Sequence, residues 1–256
     1  MLVATVHAFA QLEVSMDYFD SQWKPCEKGD AVYYQKITLQ NSRYQMKIGY
    51  VNGQILVEGQ FLDYALTEEQ DTFIMYHQNG NIKEKGAYEA GKKVGVWLGW
   101  FEDGKKDFKC TYKADSTCKC AYYHYNGMLS AIEEYKNDTQ LVSGTLWDST
   151  GTISANKYLE IPPTFEGYAD GWRDYFEAHM YFPTDDQGNR LYGEVKFFIL
   201  IDKEGNVTWG DIVGFANPHM ALALERVIKK MPRWSPAIRH NRCEPTMLNL
   251  SFRFID

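Results

Sequence analysis

Glycine residues that end apparent turns recur between residues 53 and 151 at intervals of 27, 24, 23 and 24 residues. They are Gly53, Gly80, Gly104, Gly127 and Gly151. Four of the five follow Asn or Asp, and such pairs favour two-residue hairpin turns in which both central residues have positive φ. One hairpin cannot bury an apolar face alone, so the fixed period predicts an array of stacked hairpins.

The clearest unit of the array is GAYEAGKKVGVWLGWFEDGKK, in which Gly91 and Gly95 divide the period into two short strands. Aromatic residues make up 15% of the chain, and flat rings suit half-buried pleated strands. These residues resemble MORN-like repeats of the variant aromatic-x-x-Asn-Gly, Gly-x-Tyr, Gly-x-x-x-Gly-x-Trp, over about residues 49–155. The resemblance implies an all-β repeat sheet, which we assign to residues 11–160 as a spacer or docking surface.

The pattern changes near Leu159, where Pro162-Pro163 stiffens the chain and cannot join a ladder. We therefore predict a second domain over residues 161–256. It begins with a short helix that ends before Pro183, followed by the strands of GEVKFFILID and of residues 207–215. A helix capped by Asn217 and an alternating final strand, TMLNLSFRF, complete the order helix, strand, strand, helix, strand.

This second domain resembles the C-terminal domain of TonB energy transducers over about residues 163–256. The resemblance is carried by YFP (181–183), GEVKFFILIDKEGNVTWGDIVG (193–214) and ALERVIKKMPRWSPA (223–237), followed by LNLSFRF. The motif Met-Pro-x-Trp-x-Pro after the second helix makes it fairly specific. It implies a two-layer α+β module with a three-stranded antiparallel sheet and helices on one side, so the whole chain is expected to be α+β.

Members of that family bind a short peptide of an outer-membrane receptor as an added strand beside the C-terminal strand, a mode called β-augmentation. The resemblance places the binding edge at residues 247–254. The outward side chains Asn249, Ser251 and Arg253, with Met247, are the predicted partner-binding residues. The alternative is an edge that its own neighbours protect. The expected partner is a receptor peptide or another periplasmic protein, and no cofactor is implied.

Residues 1–10 form a short apolar run that ends in Ala8-Phe9-Ala10, a pattern read by signal peptidase, although a basic segment before it is missing. We expect export to the periplasm, with a buried first strand as the alternative. The chain shows neither the membrane helix nor the Pro-rich spacer of true transducers. Three hypotheses remain: a non-enzymatic binding module, an energy transducer whose membrane helix is missing from this reading frame, and a protein in which the repeats do the binding.

Charge and reactive side chains narrow the remaining possibilities. A net charge of −7 argues against nucleic-acid binding, which requires a basic face. The six histidines show no metal-ligand spacing, and no catalytic set of residues is recognisable. A cluster of basic residues near the second helix could attract an acidic partner or anionic lipid, or could be a solvated face. Its members are Arg226, Lys229, Lys230, Arg233, Arg239 and Arg242.

Five cysteines are too scattered for a zinc site. In an oxidising compartment Cys110 could pair with Cys118 or Cys120 across a hairpin, and the alternative is that the cysteines are unpaired.

Overall fold

The computed structural model describes residues 12–137, 139–155, 160–167, 171–213 and 217–255. The chain forms two compact units, residues 1–153 and 154–256. The described residues form an 11-stranded antiparallel sheet, two three-stranded sheets and two α-helices, so the fold is a strand-rich α+β fold. The predicted signal peptide, residues 1–10, lies outside the described residues.

The N-terminal unit contains the 11-stranded sheet, which we call the repeat sheet. Its strands are β1 (Leu12–Phe19), β2 (Tyr33–Gln40), β3 (Arg43–Tyr50), β4 (Ile55–Phe61), β5 (Glu69–Tyr76), β6 (Ile82–Glu89), β7 (Lys92–Trp100), β8 (Lys106–Tyr112), β9 (Thr117–Tyr123), β10 (Leu129–Lys136) and β11 (Gln140–Leu146). They lie side by side in chain order, and each pairs antiparallel with its neighbours in the sequence. This is the topology expected of stacked hairpins.

The five periodic glycines all have positive φ, between 82° and 96°. In each loop the glycine N–H donates to the carbonyl three residues before it, at 2.8–3.0 Å. The preceding two loop residues do not have positive φ, so the expected two-residue turn is wrong for these loops. They are three-residue loops closed by a left-handed glycine. Turns with positive φ at both central residues occur instead at Asn41–Ser42 and Ala90–Gly91.

Other glycines of the repeat sheet lie under aromatic rings of the adjacent strand. A Cβ atom on Gly86 would stand 2.0 Å from the Trp97 ring, and one on Gly59 would stand 2.2 Å from the Phe73 ring. The rings also contact one another edge to face: Tyr88 lies 5.0 Å from Trp97, centroid to centroid. The glycine of the Gly-x-Tyr pattern is therefore needed because a neighbouring ring occupies the space of a side chain.

A disulfide joins Cys110 on β8 to Cys120 on β9, two residues that lie directly opposite each other in the ladder. Of the two pairings that the sequence left open, the structure contains this one. Cys118, two residues earlier on β9, is buried on the same face and lies outside the disulfide.

The C-terminal unit contains two small sheets and both helices. Its elements are β12 (Glu160–Ile161), α1 (Trp172–His179), β13 (Gly193–Ile201), β14 (Val207–Val213), α2 (Pro218–Ile228), β15 (Ala237–Arg239), β16 (Arg242–Glu244) and β17 (Thr246–Phe254). The main sheet has the order β14-β13-β17, and the second has the order β12-β15-β16. The five predicted elements occur in the predicted order, and the short strands β12, β15 and β16 are additions that the sequence did not predict. The Asn217 side chain caps α2 by accepting the His219 N–H at 2.9 Å.

The core of this unit lies between one face of β13 and the two helices. Val195, Phe197, Ile199 and Ile201 alternate along β13 and are at most 1% exposed. Phe176 of α1 and Leu224 of α2 are fully buried against them. This two-layer packing leaves the opposite face of the sheet uncovered by the helices.

The Met-Pro-x-Trp-x-Pro segment packs on the turn between β13 and β14. The Trp234 N–H donates to the Gly205 carbonyl at 2.8 Å. A Cβ atom on Gly205 would stand 1.9 Å from the Trp234 oxygen, and Gly205 has a φ of +88°. Arg233 adds a bond from Nε to the Asn206 side chain at 3.0 Å. Two motifs that are distant in sequence thus fix each other's position.

Candidate functional site

Among the described strands, β17 pairs with β13 alone and so lies at the edge of its sheet. Nine consecutive residue pairs join β17 to β13 without a shift in register, from Ile201–Thr246 to Gly193–Phe254. β17 contains no Pro or Lys, two residues that often block sheet edges. Its outer backbone groups therefore form a straight edge with the length to receive an additional strand.

The predicted partner-binding residues alternate along β17 on the face opposite the helices. In the register they stand across from Leu200, Phe198, Lys196 and Glu194 of β13, in the order Met247, Asn249, Ser251 and Arg253. Met247 is 57% exposed. Arg253 Nη2 lies 3.8 Å from Glu194 Oε2, a contact between two exposed side chains that adds little stability. The structure thus brings the four residues onto one open surface.

Sequence reasoning missed the apolar part of this open face. Phe198 and Leu200 of β13 are half-buried there, and Val213 of β14 is exposed. The signal was present in GEVKFFILI, because residues 197–201 are all apolar and a strand with one buried face would alternate. Phe198 and Leu200 of β13 and Met247 of β17 thus give the open face an apolar part next to the binding edge, whereas Val213 lies on β14, at the other edge of the sheet.

The basic cluster predicted from the sequence divides into two groups. Four members have a partner: Lys229 with Glu225, Arg239 with Glu160, Arg242 with Glu244, and Arg233 with Asn206. Arg226, in the last turn of α2, and Lys230, just after the end of the helix, form no ion pair with any described residue. The six residues are therefore not one uniform solvated face.

Several histidine and aspartate side chains of the C-terminal unit form contacts with residues close to them in the fold. His179 Nδ1 lies 2.8 Å from the Tyr175 carbonyl, and its ring stacks on Tyr175. Asp185 accepts hydrogen bonds from the Asn189 side chain and from backbone N–H groups of its turn, and these bonds hold its pKa below the usual range. His219, in the first turn of α2, places its Nε2 atom 3.4 Å from Asp186 Oδ1.

In the repeat sheet, histidine and asparagine side chains link successive loops. His77 Nε2 donates to the Trp100 carbonyl at 2.7 Å, and His124 Nε2 donates to the Trp147 carbonyl at 2.8 Å. The amide of Asn79 donates to Glu102, and that of Asn126 donates to Ser149, each at 2.8 Å. Every one of these bonds spans 23 residues, which is one period of the array. These side chains therefore hold the hairpins in register.

One carboxyl group is fully buried in the repeat sheet. Glu133 on β10 accepts a short hydrogen bond from the Tyr135 hydroxyl and lies across the ladder from Cys120. Burial, followed by the proximity of Glu133, raises the pKa of Tyr135. The Glu133–Tyr135 pair lies next to the disulfide and is part of the buried interior of the repeat sheet.

Comparison with known proteins does not assign the chain. No protein-family model matches the sequence, and no curated protein is significantly similar to it. Within the described ranges, no group of three or more His, Cys, Asp or Glu side chains is arranged to hold a metal ion. Among the described residues, neither of the two α-helices, α1 and α2, is long and apolar enough to cross a bilayer.

Proposed function

We propose that the protein is a non-enzymatic, exported interaction module that captures an extended peptide of another envelope protein by β-augmentation at β17. The observation that carries the proposal is the free edge of β17, nine residues long and paired to β13 without a bulge. Such an edge offers main-chain hydrogen bonds for affinity, and alternate side chains on both faces offer selectivity. The likeness of 163–256 to TonB C-terminal domains supports the same edge.

The open face beside the edge also supports peptide capture. An added strand would place alternate side chains beside Met247 of β17, next to the half-buried Leu200 and Phe198 of β13, and so remove apolar surface of Met247 from water. Met247 alone is 57% exposed. Removal of apolar surface contributes about 25 cal/mol per Å². Both main-chain hydrogen bonds and the burial of apolar surface would therefore stabilise a strand added at this edge.

The disulfide between Cys110 and Cys120 supports the exported location, because disulfides persist in oxidising compartments such as the bacterial periplasm. In this proposal the repeat sheet acts as a spacer or docking platform. The partner is then an outer-membrane receptor peptide or another periplasmic protein.

The test uses synthetic peptides from the periplasmic N-terminal segments of the source cell's outer-membrane receptors. Each peptide is also made with alternate N-methylated residues, which removes the N–H groups that would pair with β17. We expect binding by calorimetry for at least one unmodified peptide and slower amide exchange across Thr246–Phe254 when it binds. N-methylation at the pairing positions weakens binding about tenfold or more, since it removes several hydrogen bonds.

Arg253→Pro provides the matching change in the protein, because proline removes an N–H and bends the strand. We expect it to abolish peptide capture. Val213→Pro on β14, the other edge of the same sheet, is the control and leaves capture intact. A folded Arg253→Pro chain that binds like the parent, or a bound peptide that leaves the β17 amides unprotected, contradicts the proposal.

A further inference from the structure

A groove in the C-terminal unit lies apart from the residues assigned to the β17 edge. It has a volume of about 1010 Å³ and lies between α2 and the extended segment 180–184 that follows α1. This segment contains Tyr-Phe-Pro, one of the motifs that the proposed function leaves unexplained. Volumes of this size are typical of ligand sites.

The charged side chains that line the groove are cations. Arg226 and Lys230 belong to its wall, and no Asp or Glu does. Arg226 lies in the last turn of α2 and Lys230 lies two residues after its end, and both side chains line the groove. They are also the two members of the basic cluster whose side chains form neither an ion pair nor a hydrogen bond with a described residue, whereas Lys229 is paired with Glu225 and Arg233 is bonded to Asn206. The groove therefore has two cations that an anion could neutralise.

The remaining wall is largely apolar and open to water. Tyr181 is 87% exposed and Leu222 is 45% exposed, so both offer apolar surface to an occupant of the groove. Phe182 forms a further part of the wall, and Arg190 lies over its ring at 5.0 Å. An occupant that suits this groove has both an anionic group and an apolar side chain.

The length of the groove favours a peptide over a small carboxylate. Its wall includes residues of α2 and its C-terminal extension from His219 to Lys230. At 1.5 Å per residue this stretch is roughly 16 Å long. An extended chain rises about 3.3 Å per residue, so about five residues would fill it.

We propose that this groove binds an acidic peptide segment of about five residues, whose carboxylates meet Arg226 and Lys230 and whose apolar side chain packs on Tyr181 and Leu222. The site is independent of strand addition at β17, because it uses side chains of α2 and of the 180–184 segment. It would recognise acidic sequence, whereas the edge of β17 would recognise extended backbone.

The test measures binding of a six-residue peptide of alternating glutamate and leucine, with a neutral fluorophore, to the full chain by fluorescence anisotropy. A matched peptide carries glutamine in place of glutamate. We expect the glutamate peptide to bind, the glutamine peptide to bind at least about tenfold more weakly, and added salt to weaken the first. Equal affinity for the two peptides, or no binding of the glutamate peptide, overturns the proposal.

Variants locate the site. Arg226→Gln combined with Lys230→Gln is expected to weaken binding about tenfold or more, and Leu222→Asp to weaken it through repulsion and lost apolar contact. Lys229→Gln removes the same charge from a residue paired with Glu225 and is expected to change affinity less than about twofold. A double variant that folds and binds like the parent overturns the proposal.

Decanoate and vesicles of phosphatidylglycerol are tested in parallel as other anionic ligands. Binding of either that depends on Arg226 and Lys230, without such dependence for the glutamate peptide, replaces the peptide with an acyl or lipid ligand and refutes the assignment made here.

Discussion

The two units of the chain differ in how their strands pair and in what covers the buried face of each sheet. In the repeat sheet each strand pairs only with its neighbours in the sequence, and one face is filled by cross-strand rings such as Trp97 over Gly86. In the C-terminal unit, β13 pairs with β17 across the whole stretch that contains β14, α2, β15 and β16. The repeat sheet is therefore expected to behave as a chain of local contacts, and the C-terminal unit as one cooperative core.

The largest effect that tests this contrast is truncation of one core side chain in each unit. Trp97→Ala and Phe197→Ala each remove a side chain that is at most 1% exposed, and each should cost about 3–5 kcal/mol. We expect Phe197→Ala to speed amide exchange throughout the C-terminal unit, since β13 is its central strand. Trp97→Ala should speed exchange mainly in β6, β7 and β8. Amide exchange measured by mass spectrometry separates the two patterns.

Controls for this comparison are the exposed neighbours Val96→Ala and Lys196→Ala, which point to the opposite faces of the same strands. Both should leave exchange close to that of the parent. Equal loss of protection from β1 to β11 in the Trp97→Ala chain would show that the repeat sheet is as cooperative as the other unit, and the contrast would not hold.

Alkaline pH is expected to weaken the repeat sheet by ionising its tyrosines. The Tyr76 hydroxyl donates to Glu58 Oε1 at 2.6 Å, and burial together with this bond raises the pKa of Tyr76 to about 12. A pKa that is higher in the folded chain means that the stabilisation is complete below the unfolded pKa, about 10. It is then lost as the pH rises through the folded value. The window for this loss is pH 10 to about 12.

Thermal unfolding followed between pH 8 and 12 checks this window. The Tyr76→Phe chain lacks the ionising hydroxyl, so its stability should fall less steeply above pH 10 than that of the parent. Tyr64→Phe changes an exposed ring and serves as the control. Identical pH dependence for the parent and for Tyr76→Phe would show that the bond to Glu58 does not couple ionisation to folding.

How much was predictable from the sequence depends on how local each feature is. The position of a turn can be predicted from a glycine such as Gly80, because a positive φ is a property of one residue. The loop type was not predictable from the Asn-Gly pair, since the hairpin register decides whether two or three residues close the loop. The sequence also could not show why position 86 must be glycine, because the space of a side chain there is occupied by the Trp97 ring of another strand.

For the candidate site, alternation in TMLNLSFRF gave the two faces of β17 correctly, since the side-chain period of a strand is fixed. The prediction that this strand lies at an edge came from the resemblance to TonB C-terminal domains and from no local pattern, and no family model matches the sequence. The groove between α2 and the 180–184 segment was out of reach, because it depends on two segments packed side by side. The basic cluster was visible, but the sequence could not separate Lys229, which pairs with Glu225, from Lys230, whose side chain forms no ion pair with a described residue.

The smallest effect concerns the bonds that join one repeat to the next. Asn126 accepts the Met128 N–H within its own loop and donates its side-chain amide to the Ser149 carbonyl one period on. Asn52 makes the same bond within its loop, to the Gln54 N–H, but its amide group donates to no described residue.

Both residues precede a left-handed glycine, so Asn52→Ala measures the loop bond and Asn126→Ala measures the loop bond plus the link. The difference between the two losses of stability in urea unfolding should be about 0.5–1.5 kcal/mol, the usual net contribution of one hydrogen bond. Equal losses would mean that the bond from Asn126 to Ser149 adds nothing to the stability of the array.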